Sequence, residues 1–188
     1  MIDSKKTGIS GYLLLDGLFE NMLITALDVN ADVNESLLFN NEPTSFSGSI
    51  SYMDSILSIV NPIMLSIGPS IVSIDGNANY GSRTMNFDVA LSEASAFLIN
   101  NFWSDSLSSG SATGSMQIDG SFDVLSLNAD LAINNFNYKS IYLENFELFA
   151  KLENLQDFDD GEVKMKFKDG TWNEIGFESG NGQLFFSN

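Results

Sequence analysis

From Leu127 to Ile133 every odd residue is apolar (Leu127, Ala129, Leu131, Ile133), while Asn128 and Asp130 fall between them and Asn134 follows. A period of two with polar alternates predicts a β-strand with one wet face. Just upstream, Met116 and Ile118 alternate with Gln117 and Asp119 and run into Asp119-Gly120, a pair suited to the positive φ of a turn or bulge. Residues 110–138 therefore predict two antiparallel strands sharing an apolar side. The alternation returns elsewhere: Leu27, Val29, Ala31 and Val33; Phe46, Gly48, Ile50 and Tyr52 between serines; Met85, Phe87, Val89 and Leu91; Val163, Met165 and Phe167 between lysines. Ile141 and Leu143 change phase to Phe146, Leu148, Ala150 and Leu152, which predicts a bulge near Glu144-Asn145. Trp172, Ile175, Phe177 and Leu184 supply the last strands between Gly-rich turns.

Two stretches follow a different period. Ile56, Leu57, Ile59, Val60, Ile63, Met64 and Ile67 recur at spacings of three and four behind a capping Asp54 or Ser55, predicting a helix that contains Pro62 and stops at Gly68-Pro69. Ala94, Phe97, Leu98 and Phe102 behind Ser92-Glu93 predict a second, shorter helix, ended by the Ser/Asp/Gly-rich residues 104–111. The expected fold class is mainly β, with one or two short helices, in a single domain over residues 1–188.

A phrase repeats along the chain. Gly11, Leu13, Leu15, Asp16-Gly17 and Phe19-Glu20 match Gly114, Met116, Ile118, Asp119-Gly120 and Phe122-Asp123 at constant offset, and Ile74-Asp75-Gly76 is a weaker copy. This unit resembles the recurring unit of the TamB and AsmA-like family, long periplasmic β-groove proteins of the bridge-like lipid transfer superfamily. The proline that often follows the Gly strand in that family is absent here, Val124-Leu125 standing near its place. The one-sided strands by themselves allow either a closed sandwich or a sheet curled into a U with an apolar inside. The resemblance implies the second, a long antiparallel "β-taco" excised from a longer protein. Its cargo would be phospholipid acyl chains or hydrophobic protein segments, and its place the periplasm. It further implies an inner-membrane span outside these residues and an outer-membrane barrel partner contacted through other regions. Alternation expects Leu27, Val29, Phe87, Val89, Leu127, Leu131, Ile133, Leu148 and Phe167 to share one surface, which on the resemblance is the lipid groove. The residues around 11–15 and 183–186 are expected at sheet edges, where the segment would self-associate.

Charge and composition narrow the chemistry. With 25 acidic and 8 basic side chains the net charge is −17, which repels nucleic acid and anionic lipid surfaces. The chain has no His and no Cys, which removes the commonest general base, the thiolate ligands and any disulfide, so an enzyme is disfavoured and no cofactor is expected. Residues 157–162 (Asp-Phe-Asp-Asp-Gly-Glu) could seat Ca²⁺, but the spacing departs from an EF-hand loop and a solvated acidic turn is the plainer reading. Lys164, Lys166 and Lys168 line one strand face beside these acids, as an ion-paired outer surface would. Residues 1–6 lack the apolar core of a secretory signal, and the serines, Asn61 and prolines within residues 55–74 break what could otherwise span a bilayer. Two further functions suit the same features: assembly of outer-membrane β-barrels, with a nascent strand as cargo, and a closed β-sandwich in a surface adhesin or structural protein.

Overall fold

The computed structural model describes residues 10–20, 23–37, 43–95, 109–155, 157 and 160–187. They form eleven strands: β1 (Ser10–Glu20), β2 (Leu23–Leu37), β3 (Pro43–Met53), β4 (Ile56–Ile67), β5 (Ser70–Asn79), β6 (Thr84–Ser95), β7 (Ser109–Ser121), β8 (Val124–Tyr138), β9 (Ile141–Leu152), β10 (Gly161–Trp172) and β11 (Ile175–Phe186). The strands lie in one sheet in chain order. Every neighbouring pair is antiparallel, so the sheet is a pure meander. It is a single uncurled layer with β1 and β11 as its edges, and no helix is present among the described residues.

Register turns the period of each strand into a property of the whole sheet. Residues opposite one another in a ladder point to the same side, and the partners Gly11, Val33, Phe46, Leu65, Val72, Leu91, Gly114, Leu131, Leu148, Met165 and Gly182 form one row from β1 to β11. This side is apolar. The opposite side carries Asp28, Asp88, Asp130, Glu147, Lys164, Lys166 and Lys168, all exposed.

The first expected helix is β4. Its β-branched residues Ile56, Ile59, Val60, Ile63 and Ile67 favour the pleated chain. The register with β5 shifts between Ser58 and Ile63, around Asn61-Pro62, where proline costs no ladder bond. The shift is of two residues and keeps the phase, so the odd-numbered Leu57, Ile59, Ile63, Leu65 and Ile67 all stay on the apolar side. The spacing of three and four arises because the even-numbered Ile56, Val60 and Met64, which are exposed, are apolar as well. Asn61 Nδ2 donates to Ser49 Oγ across the bulge at 2.6 Å. Of the second expected helix, residues 92–95 belong to β6, with a bulge at Ser92-Glu93, and the rest lies outside the described residues.

The Asp-Gly pairs are not turns. Asp16-Gly17, Asp75-Gly76 and Asp119-Gly120 sit inside β1, β5 and β7, and the carboxylates of the last two accept local hydrogen bonds. Gly76 N donates to Asp75 Oδ1 at 2.7 Å, and Ser126 Oγ on β8 donates to Asp119 Oδ1 at 2.9 Å. The hairpins turn beyond these pairs, at Phe122-Asp123 for β7–β8 and at Asp54-Ser55 for β3–β4. Asp54 and Ser55 both have left-handed φ, as do Asn173 and Glu174 between β10 and β11, the requirement of the tight type I′ turn.

A single layer buries little. Among the described residues the fully enclosed apolar ones are mostly alanines, with Ile67, Leu143 and Leu152 the exceptions, and Ile67, Ala94 and Ala112 make a compact cluster at the ends of β4, β6 and β7. The chain exposes 12293 Å². A compact monomer of this mass would expose roughly 8,900 Å².

Candidate functional site

The positions expected to share a surface do so. Leu27 and Val29 stand opposite Tyr52 and Ile50, Phe87 and Val89 opposite Ile118 and Met116, and Ile118 opposite Leu127. Leu131 pairs with Leu148, while Ile133, Phe146 and Phe167 form a row over β8, β9 and β10. All the expected positions fall on the apolar side, and each is half-buried. Half-burial has a simple origin: neighbours in the same layer screen each side chain laterally, and among the described residues no second layer screens it from above.

Alternation alone missed the aromatic part of this surface. At the β8–β11 end the backbone changes phase in concert: Asn135 and Asp169, on either side of β9, have φ of 51° and 50°, and the ladder pairs of β9 with β8 and with β10 both skip Glu144. The change of phase near Glu144-Asn145 is therefore present, but the expected bulge is not: the register is kept, because each strand skips one residue at the same level, and the break crosses β8, β9, β10 and β11. It brings Phe136, Ile141, Leu143 and Trp172 to the same side as Phe146, Met165 and Phe167. With Phe177 and Gly182 they line a wholly apolar hollow of about 330 Å³. Of the nine positions expected to form the groove, only Phe167 lies in it. Ring packing shapes the hollow, with Phe167 and Phe177 edge-on at 5.2 Å between centroids and Phe136 and Phe146 tilted at 5.6 Å. Gly180 leaves room for the Phe167 ring and Gly170 for that of Phe177: a Cβ added at either glycine would come within 2.6 Å of ring carbons. The usable sequence signal was the aromatic density of the chain on both sides of the break.

A second aromatic group closes the other end of the strands. Tyr52 meets Tyr80, and Tyr80 meets Phe122, at 6.3 and 5.6 Å between centroids, tying the ends of three hairpins together. Arg83 lies over Phe122 at 5.8 Å and pairs with Asp123 at 2.8 Å.

The polar side is an ion-paired surface. Lys164 pairs with Glu162 at 2.7 Å, Lys166 with Glu147 at 3.7 Å and Lys168 with Asp169 at 3.8 Å, and Gln183 donates a further hydrogen bond to Glu162. The hydrogen bond from Lys164 is the chief reason that the Glu162 carboxyl titrates below the usual range; its partial burial opposes the shift, and the bond from Gln183 and the Lys164 charge assist it. In the acidic turn, Asn154 Nδ2 donates to Asp157 at 3.1 Å, and Asp159 lies outside the described residues. Among the described residues no group of three or more acidic side chains is placed to hold a metal ion.

No family model, curated protein or solved structure matches the chain. The site is accordingly defined by its physical character. It is an extended apolar face that offers side-chain hydrocarbon along its length, interrupted by few hydroxyls, and ends in an aromatic hollow without a polar group. Such a surface attracts hydrocarbon; each methylene it removes from water is worth about 0.8 kcal/mol.

Proposed function

We propose that this chain is a non-enzymatic segment of a TamB-like envelope protein, whose sheet curls so that the apolar face lines a groove conducting phospholipid acyl chains between the inner and outer membranes. The observation that carries the reading is the continuous apolar face running through all eleven strands with no layer of described residues over it. A monomeric soluble protein rarely leaves an apolar patch of more than a few hundred square ångströms without a partner. Acyl chains suit the face better than a polypeptide strand, because a peptide laid on it would leave its own N–H and C=O groups without partners, at a cost of a few kcal/mol each. The Asp- and Glu-rich opposite face keeps such a segment in water while its inner side stays apolar.

The test is a pair of arginines. Leu131→Arg puts a guanidinium on the apolar face, and Asp130→Arg puts the same group on the wet one. On an open face the arginine lays its stem along the wall and reaches water, so Leu131→Arg should stay folded, with a stability loss of about 1–2 kcal/mol. Its crosslinking to a photoreactive phospholipid should fall well below that of Asp130→Arg. If Leu131→Arg unfolds the protein, the face is the inside of a closed sandwich, since an unpaired buried charge is not tolerated there. Lipid crosslinking equal in the two variants, or crosslinking to unfolded barrel strands in place of lipid, would also overturn the proposal.

A further inference from the structure

The edge strand β1 is apolar on both of its faces. Leu13 and Leu15 belong to the apolar side of the sheet and Tyr12, Leu14 and Leu18 to the other; all five are between 58% and 66% exposed. No described strand pairs with the outer edge of β1. Its sequence also has a symmetry. Gly11-Tyr12-Leu13-Leu14-Leu15-Asp16-Gly17 reads outward from Leu14 as Leu and Leu, then Tyr and Asp, then Gly and Gly.

We propose that β1 pairs antiparallel with β1 of a second copy of this chain, about a two-fold axis that passes through Leu14. In that register Leu14 faces the partner's Leu14, Leu13 faces the partner's Leu15, and Gly11 faces the partner's Gly17. Tyr12 faces the partner's Asp16, and its phenol can donate a hydrogen bond to that carboxylate. Asp16 stands directly opposite Asp28 within its own chain, a like-charged cross-strand pair that a donor on its other side relieves. Moving the axis to Leu15 would instead set Asp16 against the partner's Leu14 and strand the charge on an apolar side chain. The contact is self-complementary, as a two-fold interface must be.

Strand count selects the same arrangement. Eleven is odd, so β1 and β11 run in the same direction, and joining β11 of one copy to β1 of another by simple translation would give a parallel ladder. A two-fold axis normal to the sheet pairs like edges antiparallel and keeps both apolar faces on one side. Of the two edges, β11 is the poorer candidate, because Gly176, Gly180 and Gly182 leave its middle with few side chains to pack across an axis, its exposed Ile175, Leu184 and Phe185 standing at the two ends. The inference is independent of what covers the apolar face and stands or falls separately from the lipid reading.

The chain has no cysteine, so single thiols report cleanly. Directly opposed residues have Cα atoms about 4.5–5.5 Å apart, within the range a disulfide spans. Leu14→Cys should therefore form a disulfide-linked dimer under mild oxidation on the order of tenfold faster than Gln183→Cys on the β11 edge, because pairing holds its thiols together. One strand edge buries less than the roughly 1,000 Å² of a firm interface, so sedimentation of the unmodified protein should show a weak, concentration-dependent dimer. Leu14→Lys should remove that dimer while leaving the circular dichroism spectrum unchanged. Equal rates for Leu14→Cys and Gln183→Cys, a strict monomer at high concentration, or a folded Leu14→Lys variant that still dimerises would each overturn the proposal; the thiol comparison decides it even if Leu14→Lys does not fold.

Discussion

A methyl group at Gly114 would lie 2.1 Å from the carbonyl oxygen of Asp130 on the neighbouring strand, and the residue has φ of +139°, a conformation that side-chain-bearing residues rarely adopt. Gly114→Ala must move the β7–β8 ladder or distort its own backbone. It should lower stability by roughly 1–3 kcal/mol, read as a shift in the urea midpoint. Gly176 is the control, since an added Cβ there meets nothing within 4 Å, and Gly176→Ala should leave the midpoint unchanged or raise it slightly. Glu162 gives a second test at this level. Its carboxyl is held low first by the Lys164 hydrogen bond, so folding favours its ionised form. The associated stability is present above the ordinary glutamate range and is lost as pH falls through the lowered folded-state value. An NMR titration should find Glu162 below the usual carboxylate range, and Lys164→Met should return it toward that range; both groups are in water, so the effect on stability is small.

Strands were legible wherever one ladder face met apolar surroundings and the other met water, because the chain then alternates strictly, as it does at Leu127, Ala129, Leu131 and Ile133. That is also why the shared side of Leu27, Val29, Phe87, Val89, Leu148 and Phe167 could be read ahead of the structure. β4 misled because it carries apolar residues on both faces: Ile56, Val60 and Met64 stand exposed at even positions between the inward odd ones, and together the two sets recur at spacings of three and four. The hollow stayed hidden for a different reason: its walls come from strands whose phase changes at Asn135, Glu144 and Asp169, so no single alternating run includes them. The Asp-Gly pairs resemble hairpin turns in sequence, yet the turns fall elsewhere, on residues less suited to them. Glu174 holds φ of +68° without being glycine. Replacing it should help: Glu174→Gly gives the Asn-Gly pair that this turn type prefers, with an expected gain of about 0.5–1 kcal/mol seen as a higher thermal midpoint.

Each of the eleven strands bonds only to its neighbours in the chain, so the molecule is close to one-dimensional, and its stability is a sum of hairpin terms with few long-range ones to enforce all-or-none behaviour. Its outer strands lie ten ladder spacings apart, about 48 Å. A force drawing β1 and β11 away from each other acts across the hydrogen bonds, so the ladders give way one after another, as a zipper is opened, and strands are not sheared past one another. The sheet is therefore mechanically soft along that line. It would yield strand by strand under tension and close again as each hairpin re-forms, so that it behaves as a compliant strap and not as a rigid plate.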